Sequence, residues 1–229
     1  MHRRGRAVPR AGTIVRRWRT VVGLGMALMV TGCDLLGGGS FVDFEAFDPL
    51  PPLGRLDLTD GLAQGGIVYW ELRLGGLGAE VDDVVAEGGV ADPSEFGSDV
   101  LAALDTLKAM RGFRQACLPG GCFYYLAGLT ADGDLRSWET AQELEELLVP
   151  IQSPSEAALL ALAAGYDWSA PLEEGAFRPE GEDWHLVVTR YTGFCDPVRE
   201  DRFLLEVTRD GSILVLKSEE FRTQDGVCI

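Results

Sequence analysis

The sequence predicts an α+β fold in which an antiparallel sheet packs against two or three helices and is stapled by two disulfides. Three observations carry this. Apolar residues alternate with polar ones in short runs that end at Gly or around Asp-Gly, as at 68–74 and 202–219; period two marks a strand with one buried face. Between such runs, residues 98–110, 140–148 and 153–163 repeat apolar positions every three or four, the helical period. Cys117, Cys122, Cys195 and Cys228 all lie within this patterned region.

The chain opens on a basic stretch: Arg3, Arg4, Arg6, Arg10, Arg16, Arg17 and Arg19, with no acid before Asp34. An apolar run over 21–30 follows. It is too short to cross a hydrocarbon core, which takes about 20 residues, and it has the length of a signal-peptide core. Val30-Thr31-Gly32-Cys33 comes next. This pattern resembles the lipobox of bacterial lipoproteins, an aliphatic residue, a small residue, Gly or Ala, then Cys. The resemblance covers residues 1–33 only. It implies that Cys33 receives a diacylglyceryl thioether, becomes the mature N-terminus and is N-acylated, with the lipid bilayer as its partner. Several acyl chains anchor stably where one is marginal. The implied location is the bacterial cell envelope, with the domain beyond the cytoplasm on either membrane.

Loss of residues 1–32 leaves 13 basic and 36 acidic residues, a formal charge of −23. Such a field repels nucleic acid and anionic lipid and suits a cationic ligand or an envelope protein. With Cys33 acylated, four cysteines remain in an oxidising compartment. They imply two disulfides with three possible connectivities. Proximity favours Cys117–Cys122, around Leu118-Pro119-Gly120-Gly121, and Cys195–Cys228, near the last residues. Zinc is disfavoured, because no Cys-x-x-Cys spacing or neighbouring His is present.

Residues 33–62 read as a lipid-anchored tether, flexible at Gly37-Gly38-Gly39-Ser40 and stiffened by Pro49, Pro51 and Pro52. Phe41, Phe44 and Phe47 make it less polar than a pure linker, which leaves open that part of it docks back on the domain. The domain then spans 63–229, with a division into two lobes near 140 left open. Residues 68–74 read as a strand and the acidic, Gly-containing 79–93 as a loop. A helix follows over 98–110, capped by Ser98 or Ser94 and stopped by Gly112. Residues 113–138 read as β structure turning at Asp132-Gly133. Thr140 with Glu143, and Ser153 with Pro154 and Glu156, are capping boxes opening two helices. The second is apolar on more than one side, so it is expected to be the most buried, with Gly165 as its stop. Trp184, Leu186 and Val188 alternate in a strand. A hairpin around Asp210-Gly211 is expected to pair Val207 with Leu214 and Leu205 with Leu216. That register puts Phe203, Leu205, Val207, Leu214 and Leu216 on the helix-facing side.

No catalytic constellation is visible. The exported part has one histidine, His185, within a strand pattern. There is no Gly-x-Ser-x-Gly elbow, P-loop, dinucleotide fingerprint or HExxH, and no cofactor is implied. Acidic pairs such as Asp82-Asp83, Glu173-Glu174 and Glu219-Glu220 read as solvated faces. Trp70, Trp138, Trp168 and Trp184, with Tyr124, Tyr125, Tyr166 and Tyr191, read as core more than as a ligand platform. The expectation is a non-catalytic binding or structural module. An inhibitor or chaperone-like module for a basic protein is the alternative, and a carboxylate hydrolase is a third.

Overall fold

The computed structural model describes residues 40–76, 82–117 and 121–229. Cys33, the signal segment and the turn residues 118–120 lie outside the described residues. The elements run β1 (Asp48–Pro49), α1 (Thr59–Gln64), β2 (Ile67–Gly76), β3 (Asp83–Gly89), α2 (Ser98–Thr106), β4 (Arg114–Gln115), β5 (Cys122–Thr130) and β6 (Leu135–Trp138). They continue with α3 (Ala141–Leu148), α4 (Pro154–Ala163), β7 (Ala176–Glu180), β8 (Asp183–Phe194), β9 (Val198–Val207) and β10 (Ile213–Gln224). The α+β class holds, built as two antiparallel sheets. The first is ordered β3-β2-β5-β4, with β6 also on β5; the second is β1-β7-β8-β9-β10. Cys117–Cys122 and Cys195–Cys228 are the disulfide pairs.

The two capping boxes form as their residues dictate. Thr140 Oγ1 accepts from the Glu143 N–H at 3.2 Å and Ser153 Oγ from the Glu156 N–H at 3.2 Å, while each glutamate accepts from the cap's own N–H. These bonds satisfy amides that a helix start leaves orphaned. α4 is apolar all round and buried from Ser155 to Leu162, which makes it the central helix. It shares one core with Leu62 of α1, Leu144 and Leu148 of α3, Trp70, Leu72 and Leu126 of the first sheet, and Leu186, Val188, Phe203, Leu205 and Val207 of the second. Because this core draws on both sides of residue 140, there is no division into lobes there.

Four expectations are corrected. Residues 40–62 are not tether: Phe41, Phe47, Leu50, Leu56, Leu58 and Leu62 are buried on the domain, and α1 lies within the segment. Residues 83–89 are strand, not loop. As an edge strand exposed on much of both faces, β3 shows no alternation to read. α2 ends at Thr106 and starts on Gly97 with no side-chain cap; Asp92 instead caps the preceding turn, accepting from the Ser94 N–H at 2.8 Å. The β9–β10 loop is one residue longer than expected, Arg209-Asp210-Gly211, with Gly211 at φ 89°. Ile213 therefore pairs with Val207 and Leu214 with Glu206. β10 is an edge strand with a register shift between Val215 and Lys217, and Leu214, Val215 and Leu216 are 50%, 52% and 46% exposed, so neither side of it is buried there. No helix among the described residues is long and apolar enough to cross a membrane.

Candidate functional site

The strongest candidate is a cleft of about 410 Å³ where the ends of the two sheets meet. From the first sheet, the short strand β4 pairs Arg114 with Tyr124 of β5, and Cys117–Cys122 closes that hairpin. From the helical layer, α4 stops at Gly165, φ 94°, where the Tyr166 N–H reaches back to the Ala161 carbonyl at 3.0 Å. Only a residue comfortable in the left-handed region ends a helix this way. The stop delivers Tyr166 and Asp167 to the second sheet, where Asp167 exchanges both backbone hydrogen bonds with Thr189 at 2.8 Å.

Asp167 then ties the two sheets together. Arg114 Nη2 donates to Asp167 Oδ2 at 2.6 Å. Burial pushes the Asp167 carboxyl up from its ordinary range, and the Arg114 guanidinium opposes that rise. Burial likewise raises the Tyr124 hydroxyl, which stays neutral beside the pair.

Beyond Asp167 the inward row of β8 continues Trp184, Leu186, Val188 with Arg190. Its guanidinium lies over the rings of Tyr166 at 4.6 Å and Phe203 at 4.9 Å, which meet edge-on at 5.2 Å. The rim is apolar and exposed: Tyr191 at 42%, Phe194 at 52% and Ile229 at 51%. Cys195–Cys228 holds that rim, with the Ile229 N–H on the Phe194 carbonyl at 3.0 Å. Both disulfides thus border one cleft, and Cys117 lines it.

The other sequence candidates lie elsewhere. His185 is buried between strands: Arg178 Nη2 is 3.3 Å from Nδ1, and Nε2 is 3.3 Å from Glu206 Oε2. Since arginine only donates, Nδ1 accepts and the Nε2 proton goes to Glu206. Asp82 accepts from the Tyr125 hydroxyl at 2.7 Å in the first sheet's interior, so it is not a solvated face. Glu174 pairs with Arg222 and Glu219 with Arg202. Trp70 is core, and the Trp168 indole donates to the Pro51 carbonyl at 2.8 Å. Two of the tyrosines, Tyr124 and Tyr191, line the cleft, and Tyr166 lies in the core against Arg190. Arg114, Asp167 and Arg190 were not singled out by the sequence. A signal for Arg190 was present, namely a cation continuing the apolar row of β8. Among the described residues no group of three or more His, Cys, Asp or Glu is placed to hold a metal.

The fold and cleft define an α+β domain of two antiparallel sheets that share a helical core, with one disulfide-bordered cleft at their junction. No protein-family model, curated protein or solved structure matches the chain.

Proposed function

We propose that the chain is a bacterial cell-envelope lipoprotein, held to a membrane by acylated Cys33, whose domain is a non-catalytic binding module. The supporting observation for the anchor is the basic, apolar, small, Cys order of residues 1–33. Two disulfide pairs are compatible with a domain beyond the cytoplasm. The observation that carries the binding role is the cleft: a concave site of ligand size, walled by aromatics and framed by both covalent cross-links. A second reading, a module for a basic protein partner, is favoured by the charge of the exported part and by Asp132, Asp134, Glu143 and Glu146 around the half-buried Trp138. Binding to such a partner should weaken steeply with salt.

The anchor is tested by expressing the full chain in a lipoprotein-processing bacterium fed labelled palmitate. The expected result is label on the wild type, recovery in the membrane fraction, and loss of both on Cys33→Ser. Equal labelling or equal membrane recovery of the variant overturns the reading.

A further inference from the structure

We propose that the cleft is a carboxylate-binding site: Arg190 supplies the paired donors, and Tyr124, Tyr191 and Phe194 wall the apolar body of the ligand. This rests on the binding-module reading but not on the anchor.

The argument starts from how arginines are used in this chain. Five arginines of the described residues are buried or half-buried: Arg73, Arg114, Arg178, Arg190 and Arg202. Four of them pair with a carboxylate. Arg190 does not, in a sequence with 36 acids to 20 bases. Among the described residues, nothing accepts a hydrogen bond from it, and its contacts are the two rings. Residues 118–120, Leu-Pro-Gly, carry no carboxylate either.

The neighbouring acids are committed elsewhere. Asp201 stands directly opposite Arg190 in the β8–β9 register. Its carboxylate instead takes two bonds from Arg199, at 2.7 and 3.2 Å. Asp167, one strand connection away, is held by Arg114. Ring stacking engages the face of a guanidinium and leaves its in-plane N–H fork free. Two rings drawn from the core hold the guanidinium carbon at 4.6 and 4.9 Å, so the group is in place before any ligand arrives. A planar fork matches a carboxylate bidentately.

The surroundings select the ligand class. Arg114 is paired with Asp167, so Arg190 is the cleft's one side-chain cation with no carboxylate partner among the described residues, which suits a monoanion. A phosphate dianion would bring a second charge beside Asp167 and meet nothing to balance it. The exposed rim of Tyr191 and Phe194 suits an aromatic or aliphatic body, and about 410 Å³ is room for a small molecule or the last residue of a peptide. The shared chemistry is a carboxylate on an apolar body, whether free or at a peptide terminus.

The test is a ligand-observed NMR titration of the full chain with benzoate, N-acetylphenylalanine, N-acetylphenylalanine amide and inorganic phosphate. Both carboxylates should show saturation transfer and compete with each other. The amide should bind about tenfold more weakly or worse, the scale of a lost charge-assisted hydrogen bond. Tighter binding of N-acetylphenylalanine than of benzoate assigns the site to peptide termini; the reverse assigns it to free aromatic acids. Arg190→Met, which keeps a flexible chain against both rings, should lose carboxylate binding by a similar factor. Should that variant unfold, Tyr191→Ser at the exposed rim should still weaken benzoate about threefold through lost apolar contact. Equal binding of acid and amide, phosphate displacing benzoate at lower concentration than N-acetylphenylalanine does, no transfer from either carboxylate, or variants that bind as the wild type does would each overturn the site. Those outcomes leave the anchor untouched, and absence of acylation at Cys33 leaves the site untouched.

Discussion

Each sheet turns one face to the shared core, and each needs a cover on its other face; the two covers are built differently. On the first sheet, Tyr69, Glu71 and Arg73 alternate with core residues Trp70 and Leu72 and point outward, yet all are buried. Their cover is α2 and the segment after it, through Leu104, Leu107 and Ala109. Arg73 fastens it: Nη2 donates to the Leu104 carbonyl at 2.9 Å and Nη1 to the Leu107 carbonyl at 2.8 Å, while Nε donates to Glu71. A cation at a helix end adds donors to carbonyls that already accept from the Leu107 N–H and the Tyr125 hydroxyl, and it complements the dipole. On the second sheet, the cover is residues 41–47. Phe41 and Phe47 pack on Ala176, Val187 and Leu204. Arg202 lies over Phe41 at 4.6 Å, Arg178 over Phe47 at 5.0 Å, and Lys217 donates to the Phe41 carbonyl at 2.7 Å. The first cover is held by a buried polar network and the second by aromatic burial with cations above it. The first should therefore fail abruptly when one partner is removed, and the second in proportion to area lost.

The largest effect is expected at Arg73. Arg73→Met removes the cation paired with buried Glu71 and one donor from each of two carbonyls, and breaking a buried pair from one side costs roughly 3–5 kcal/mol. Urea unfolding should show this loss, and adding Glu71→Leu should recover part of it; strict additivity of the two would break the contrast.

The disulfides sharpen it. Cys195–Cys228 belongs to the second sheet with a sequence separation of 33, and Cys117–Cys122 to the first with 5. In the loop-entropy model their removal costs about 4 and about 2 kcal/mol. Thermal unfolding of the two Cys→Ser pairs should rank them in that order.

Phe47→Ala should cost about 3 kcal/mol if the second cover is core-like. A change within about 0.5 kcal/mol, the surface norm, would return residues 40–62 to the role of tether.

The smallest effect lies in the layer both sheets share. Burial raises the Glu156 carboxyl above its ordinary 4.5, opposed by the Gln152 and Ser153 amides. A carboxyl whose folded value is raised contributes stability fully below the unfolded value and loses it as pH rises through the folded one. Wild type should therefore lose stability relative to Glu156→Gln as pH climbs past 4.5. A gain over that interval would contradict the burial.

Much of this was legible where local chemistry decides structure. The boxes at Thr140–Glu143 and Ser153–Glu156, the all-apolar α4 and the Cys117–Cys122 pairing follow from residues close in sequence, and Cys195–Cys228 is the pair that then remains. What was hidden depends on partners far away. Phe41 and Phe47 marked the segment as less polar than a pure linker and able to dock on the domain, but nothing near them shows the second sheet's open face. Arg73 looked like the solvent side of a half-buried strand, since only α2 makes that side interior. Leu214 and Leu216 were misplaced by one loop residue and by the edge position of β10, where Val215 is exposed as well. The cleft was hidden for the same reason: its tyrosines were visible, but Arg190 gains meaning only beside Asp201 turned toward Arg199.

The central claim is an exported, acylated chain with its other thiols oxidised in pairs. It is tested most directly by the intact mass of protein extracted from membranes after treatment with an alkylating agent under denaturing, non-reducing conditions. The expected species begins at Cys33, carries diacylglyceryl and N-acyl groups, and takes up no alkyl label. A chain bearing no lipid at Cys33, or alkylated at Cys117, Cys122, Cys195 or Cys228, would contradict it.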